Sequence, residues 1–210
     1  MNLSHLTEAE LKEALLLLEK QDGYAVQDKC QGSFLDYVNH MWPEFICGRH
    51  HQIFAEKLEQ VAKGEIKRLI VNMPPRHTKS EFASTYFPSW MMGQNPKMKI
   101  MQTTHTGELA VRFGRKVRNL MAQKEYKQVF PDVSLQADNK SAGRWETNKG
   151  GEYFAAGVGG AVTGRGADLL IIDDPHSEQD ALSPTALESA YEWYTSGPRQ
   201  RLQPKGSIVL

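Results

Sequence analysis

The 210-residue chain has only two cysteines, Cys30 and Cys47, without CxxC spacing and with no histidine cluster beside them. That scarcity argues against a disulfide framework and a cysteine–histidine zinc site, and predicts two free thiols in a reducing compartment. An excess of either charge is also missing, since 25 basic residues balance 25 acidic ones. The balance removes any whole-molecule attraction to nucleic acid but leaves room for a local basic face. No basic stretch followed by an apolar one opens the chain, so no secretory leader is read there. The longest apolar run near the N-terminus, Leu15–Leu18, falls far short of the roughly 20 residues that cross a bilayer. The expectation is a soluble, intracellular protein of one domain, long enough to bury a sizeable core.

What the chain does contain is an alternation of helical and strand patterns. Thr7 and Glu10 have capping-box spacing, and Leu11, Leu15 and Leu18 recur at helical intervals, predicting a first helix to about Gln21 that Asp22-Gly23 ends. A second helix is expected over Cys30–Asn39, and a third from Arg49 to Gly64. His50 and His51 are adjacent, so on a helix they point in different directions and do not form a metal pair. A strand over Lys67–Asn72 follows, then a helix from Ser80 that Pro88 should kink or end. Lys99–Thr104 reads as a strand, and Thr106 as the cap of a helix through Ala122. That helix carries Arg112, Arg115, Lys116 and Arg118, a basic face that is solvated surface or a contact for a phosphate backbone. Arg144–Thr147 and Glu152–Ala155 read as a small β-hairpin insertion, and Gly157–Gly166 holds five glycines. Such a run is either a flexible loop or backbone that approaches something closely. Ser183–Ser196 is expected to be helical, with a final strand at Lys205–Leu210 on which the chain stops as a fragment would.

Glycine is scarce where it would be most diagnostic. Leu69, Ile70 and Val71 run into Pro74-Pro75, and a loop ending in Lys79-Ser80 leads into the next helix. Strand, loop, Lys-Ser and helix is the layout of a phosphate-binding P-loop, but its two glycine positions fall on Met73 and Thr78. In that layout Pro75, Arg76, His77, Thr78, Lys79 and Ser80 surround the phosphates, Lys79 reaches the β- and γ-phosphates, and Ser80 ligates Mg²⁺. Downstream, Asp168-Leu-Leu-Ile-Ile-Asp-Asp-Pro175 reads as a strand buried on both faces and ending in acid. Asp173 stands where a Walker B carboxylate holds Mg²⁺, and Asp174 where a carboxylate polarises the attacking water. Arg165, flanked by Gly164 and Gly166, is either an arginine finger for phosphoryl transfer, a surface side chain or a contact to DNA phosphate.

PPRHTKS, TGRGADLLIIDDP and ALSPTALESAYEWYTSGPRQRLQPKGSIVL together resemble the ATPase domain of the tailed-phage terminase large subunit, from about Arg49 to Leu210. Members of that family commonly read PPRHGKS, so Thr78 replaces a glycine. The resemblance implies a P-loop NTPase domain at 49–210, with a mainly parallel sheet between helices, preceded by an N-terminal helical segment at 1–48. It implies ATP and Mg²⁺ as cofactors, and translocation of double-stranded DNA into a capsid in the host cytoplasm. The partners it implies are a portal protein, a small terminase subunit and further copies of the chain in a ring. Lys79 and Ser80 match the Walker A residues, Asp173 and Asp174 the Walker B and catalytic carboxylates. Arg165 matches an arginine that acts on a neighbour's ATP, and Gln52 matches an adenine-recognising glutamine. The family's coupling motif and nuclease domain are not in this sequence, so DNA cleavage is not expected of it. A helicase-like ATPase, or a nucleotide-binding module without turnover, remains the alternative.

Overall fold

The computed structural model describes residues 7–136 and 141–210. The side chains of Glu10, Leu15 and Leu18, on which the first capping box and helical repeat rest, lie outside the described set. The elements are helices α1 (Glu8–Gly32), α2 (Phe34–Met41) and α3 (Arg49–Ala62), strand β1 (Arg68–Leu69), helices α4 (Lys79–Glu81) and α5 (Phe87–Gln94), and strand β2 (Lys99–Thr104). Helices α6 (Gly107–Ala122) and α7 (Lys124–Val129), strands β3 (Arg144–Glu146), β4 (Glu152–Gly157) and β5 (Ala167–Ile172), helix α8 (Pro184–Ser196) and strand β6 (Leu202–Val209) complete the order. Among the described residues, no helix is long and apolar enough to cross a membrane.

The strands form one sheet in the order β1-β6-β5-β2-β4-β3. Neighbours are parallel except β3 and β4. The protein is therefore α/β, with helices on both faces. In β5, Leu169 and Ile171 enter the larger core with α2, α3, α5 and α6. Leu170 and Ile172 enter the smaller one, against Trp193 and Tyr194 of α8. Period-two alternation explains the split, and burial on both faces explains why the strand reads as an unbroken apolar run. Each of these side chains, once buried, contributes about 1.5–3 kcal/mol. β1 is one of the two edge strands, and its hydrogen bonding extends beyond Arg68–Leu69. The amide of Ile208 donates to the Lys67 carbonyl, Leu210 to Leu69, and Val71 to Leu210, so pairing runs from Lys67 to Val71, while the strand itself, Arg68–Leu69, is shorter than the expected Lys67–Asn72.

Four expectations are corrected. First, α1 continues through Asp22-Gly23 to Gly32. A mid-helix glycine costs about 1 kcal/mol, and tertiary contacts outweigh it here. Cys30 is buried, Trp90 Nε1 donates to its carbonyl at 2.9 Å, and Gln31 Nε2 donates to the Val129 carbonyl at 2.7 Å. Second, the next helix starts at Phe34 rather than Cys30, because the Ser33 hydroxyl accepts from the Asp36 amide and caps it. Third, Pro88 does not end its helix, which runs on to Gln94. A π-helical turn at Phe82–Tyr86 precedes it, with the Phe87 amide bonded five residues back to Phe82, and this widened turn leads into a proline placed in the first turn of α5. Fourth, the hairpin is not an insertion. Its second strand, β4, pairs with β2 along its whole length and belongs to the sheet. α2 also enters the main core, with Phe34 edge-on to Phe82 and Phe87.

Candidate functional site

Because five strands run parallel, the ends of β1 and β5 open on the same edge of the sheet. There the 70–78 loop meets Asp173 and Asp174. Lys79, first residue of α4, donates from Nζ to Asp174 Oδ1 at 2.6 Å and lies 3.9 Å from Asp173 Oδ1. The Asp174 side chain is 62% exposed, so this pair adds little to stability. Its importance is positional: it fixes where the Lys79 ammonium sits. A cleft of about 690 Å³ lies beside the pair, lined by Asn72, Met73, Lys79, Asp173, Asp174 and Leu210 among others. A second, of about 470 Å³, adjoins it along the loop from Met73 to Glu81. Both volumes suit a small-molecule ligand.

Asp173 is held differently. It is buried, and its Oδ2 accepts from the Ser84 hydroxyl at 2.8 Å, which in turn accepts from Gln102 Nε2 at 3.1 Å. The Asp173 amide donates to the Thr103 carbonyl. Oδ1 is thereby left to face Lys79. Ser84 lies on the π-helical turn, and among the described residues it is this hydroxyl, not that of Ser80, that binds Asp173. Ser80 sits in the first turn of α4, beside Lys79.

The loop backbone is unusual. Arg76 and Thr78 adopt left-handed conformations, with φ of 65° and 61°, and so does Asp174, at 46°. A β-branched residue there is an outlier, since glycine reaches that region without steric cost. Left-handed residues are components of the concave N–H arrangements that bind anions. The α3 N-terminus packs against this loop: His51 Nε2 is 2.6 Å from Thr78 Oγ1, and the His50 and His77 rings are 5.6 Å apart. Gln52, the next residue on α3, is exposed at that end of the helix. Burial, then the neighbouring His50 and His77, holds the His51 pKa below its usual value.

The structure thus brings together Lys79, Asp173, Asp174 and the Pro75–Ser80 loop, with Gln52 on the helix that abuts them. Arg165 is elsewhere. It precedes β5 while Asp173 follows it, so the six residues of that strand, about 20 Å at 3.3 Å per residue, lie between them. There its Nη1 donates to Glu152 Oε1 at 2.7 Å, and its guanidinium lies 4.0 Å from the centre of the Phe154 ring. On α6, Arg112 and Arg115 are exposed, whereas Lys116 pairs with Glu81.

Sequence reasoning missed three residues. Ser84 and Gln102 show no local motif, although Ser84 stands four positions after Ser80, a spacing that shares a helix face. His51 suggests nothing in the sequence beyond the metal pair that helix geometry excludes. No group of three or more His, Cys, Asp or Glu side chains that could hold a metal occurs among the described residues. Magnesium beside phosphates needs no such group, since one or two carboxylates complete its shell. Comparison of the chain with protein-family models and with curated proteins returned no match.

Proposed function

We propose that this chain is a P-loop ATPase domain that hydrolyses ATP with Mg²⁺ and drives double-stranded DNA into a capsid. The observation that carries the ATPase reading is Lys79 lying between Asp173 and Asp174, at the end of a buried parallel strand and beside a loop with two left-handed residues. DNA as the cargo, a portal protein and small terminase subunit as partners, and a ring of copies rest on the sequence resemblance.

In this reading the Arg76–Ser80 amides and Lys79 hold the phosphates, with Pro75 shaping the loop that presents them, and Gln52 recognises adenine. Ser80 and Asp173 would hold Mg²⁺, which when bound neutralises charge on the β- and γ-phosphate oxygens. The Lys79–Asp174 pair is one the γ-phosphate would compete for. Once Lys79 turns to phosphate, the Asp174 carboxylate is released to orient and polarise the attacking water. Asp is one methylene shorter than the Glu often found in this role, and its left-handed backbone is the local feature that sets its reach.

ATP binding and turnover of wild type, Lys79→Ala and Asp174→Ala test this. Lys79→Ala is expected to weaken ATP binding. Asp174→Ala is expected to bind ATP but lose at least about 100-fold in turnover, the scale of a lost acid–base group. Equal turnover in wild type and Asp174→Ala would overturn the hydrolytic reading, and wild-type protein without ATP affinity would overturn the whole of it.

A further inference from the structure

The most constrained point of the loop is Thr78, and its support comes from another element. The Gly48 amide donates to His51 Nδ1 at 2.9 Å. An amide can only donate, so Nδ1 accepts, and the proton of the neutral imidazole is on Nε2. Nε2–H therefore donates to Thr78 Oγ1 at 2.6 Å, and the Thr78 hydroxyl donates onward to the His77 carbonyl at 2.7 Å. Every proton in this chain has one direction. The imidazole is itself fixed, stacked on Phe82 at 5.2 Å between ring centres and edge-on to Phe45 at 4.7 Å, and His51 is 5% exposed.

We infer that His51 is a positioning residue for the phosphate loop: its hydrogen bond holds Thr78 in the left-handed conformation that glycine would adopt unaided. The inference rests on the ATPase reading for its functional consequence, but its structural content stands apart from it. Threonine at φ 61° is strained by its β-branch and persists only where the surroundings impose it. The β-branched side chain that strains the residue also carries the hydroxyl by which α3 grips it. Phe82 joins the π-helical turn to the same support, so the loop is braced from both sides. His51 touches no reacting group in this scheme. It acts through Thr78.

The test is a double-mutant cycle read by binding of a fluorescent ATP analogue with Mg²⁺. His51→Phe keeps a ring between Phe45 and Phe82 but removes both hydrogen bonds. It is expected to weaken binding about tenfold beside Thr78, and less than about twofold in a Thr78→Gly background, where no strain needs holding. Thr78→Val, which keeps the β-branch at a partly exposed site, should reproduce the loss by removing the hydroxyl alone. Equal losses in both backgrounds, or no loss beside Thr78, would overturn the inference. If wild type fails to bind the analogue, the ATPase reading fails, and NMR then decides the inference alone. The expected result is an Nε2–H tautomer for His51, with Thr78 couplings of a left-handed residue that disappear in His51→Phe. Couplings unchanged in that variant would overturn it.

Discussion

At the scale of single residues, the candidate site divides into groups that announce themselves and groups that do not. Lys79, Asp173 and Asp174 were legible because each follows or precedes an apolar strand within a short local pattern. Ser84, Gln102 and His51 were not, because their partners are distant in sequence: 89 positions from Ser84 to Asp173, 18 from Ser84 to Gln102, and 27 from His51 to Thr78. Only the fold closes those separations. Removing the Ser84 hydroxyl leaves the buried Asp173 carboxylate without its donor, so Ser84→Ala should cost about 1–3 kcal/mol in urea denaturation. An unchanged denaturation midpoint would mean that water replaces the hydroxyl. His51 makes a separate claim about pH. Its pKa is depressed below 6.5, by burial first and then by His50 and His77. The neutral form thus stabilises the fold fully above that value, and the contribution is lost as pH falls through the depressed pKa. Wild-type stability should fall on acidification below pH 6.5, and more steeply than that of His51→Phe. Parallel pH profiles would assign the effect to other groups.

At the scale of elements, some boundaries set by side-chain caps were readable, though the Ser33 cap of α2 was not, and those set by tertiary contacts were not. Thr106 and Ser183 accept from the amides of Leu109 and Ala186, and the helices they open start where expected. Gly23 looked like a stop because its helical cost is local, whereas the bonds holding the end of α1 come from α5 and α7. The glycine run from Gly157 is a similar case, with two readings open in sequence. At its first residue, close approach is what occurs: a Cβ on Gly157 would lie 2.3 Å from the Gly107 amide nitrogen and 2.7 Å from the Thr106 carbonyl carbon. β4 therefore ends against the N-terminus of α6, with backbone on both sides and no flexible side chain to yield. Gly157→Ala is expected to cost at least about 2 kcal/mol, seen as a fall of several degrees in melting temperature. Gly150→Ala offers a contrast: its φ of 87° strains the new residue, but nothing lies within 4 Å of the added carbon. A Gly157→Ala melt equal to wild type would mean that α6 shifts to make room.

At the scale of the whole molecule, the proposed reaction would draw on residues at two ends of one strand. Lys79 and the two aspartates occupy the C-terminal edge of the sheet, and Arg165 the N-terminal edge, with about 20 Å of strand between them. In the proposed function, that distance suits an Arg165 acting on another copy's ATP rather than on its own. Its present partners are consistent with a group held ready rather than buried for good. The Glu152 carboxylate, which also accepts from Arg144 Nε at 3.2 Å, orients the guanidinium, and the Phe154 face supports it. For the proposed action in trans, a ring must set this edge of one subunit against the cleft of the next. Arg165→Ala is then expected to keep ATP affinity and lose turnover by a factor of about 10³ or more. Lys79→Ala should lose turnover for the opposite reason, through its own cleft. Mixed rings join an intact cleft from the Arg165→Ala subunit to an intact arginine from the Lys79→Ala subunit, and should recover activity that neither variant has alone. Recovery that rises and falls with the mixing ratio, greatest near equal amounts, would mark the arginine as supplied in trans. If mixing recovers nothing while both variants assemble, Arg165 serves the fold through Glu152 and Phe154, and Glu152→Gln should then destabilise the protein as Arg165→Ala does.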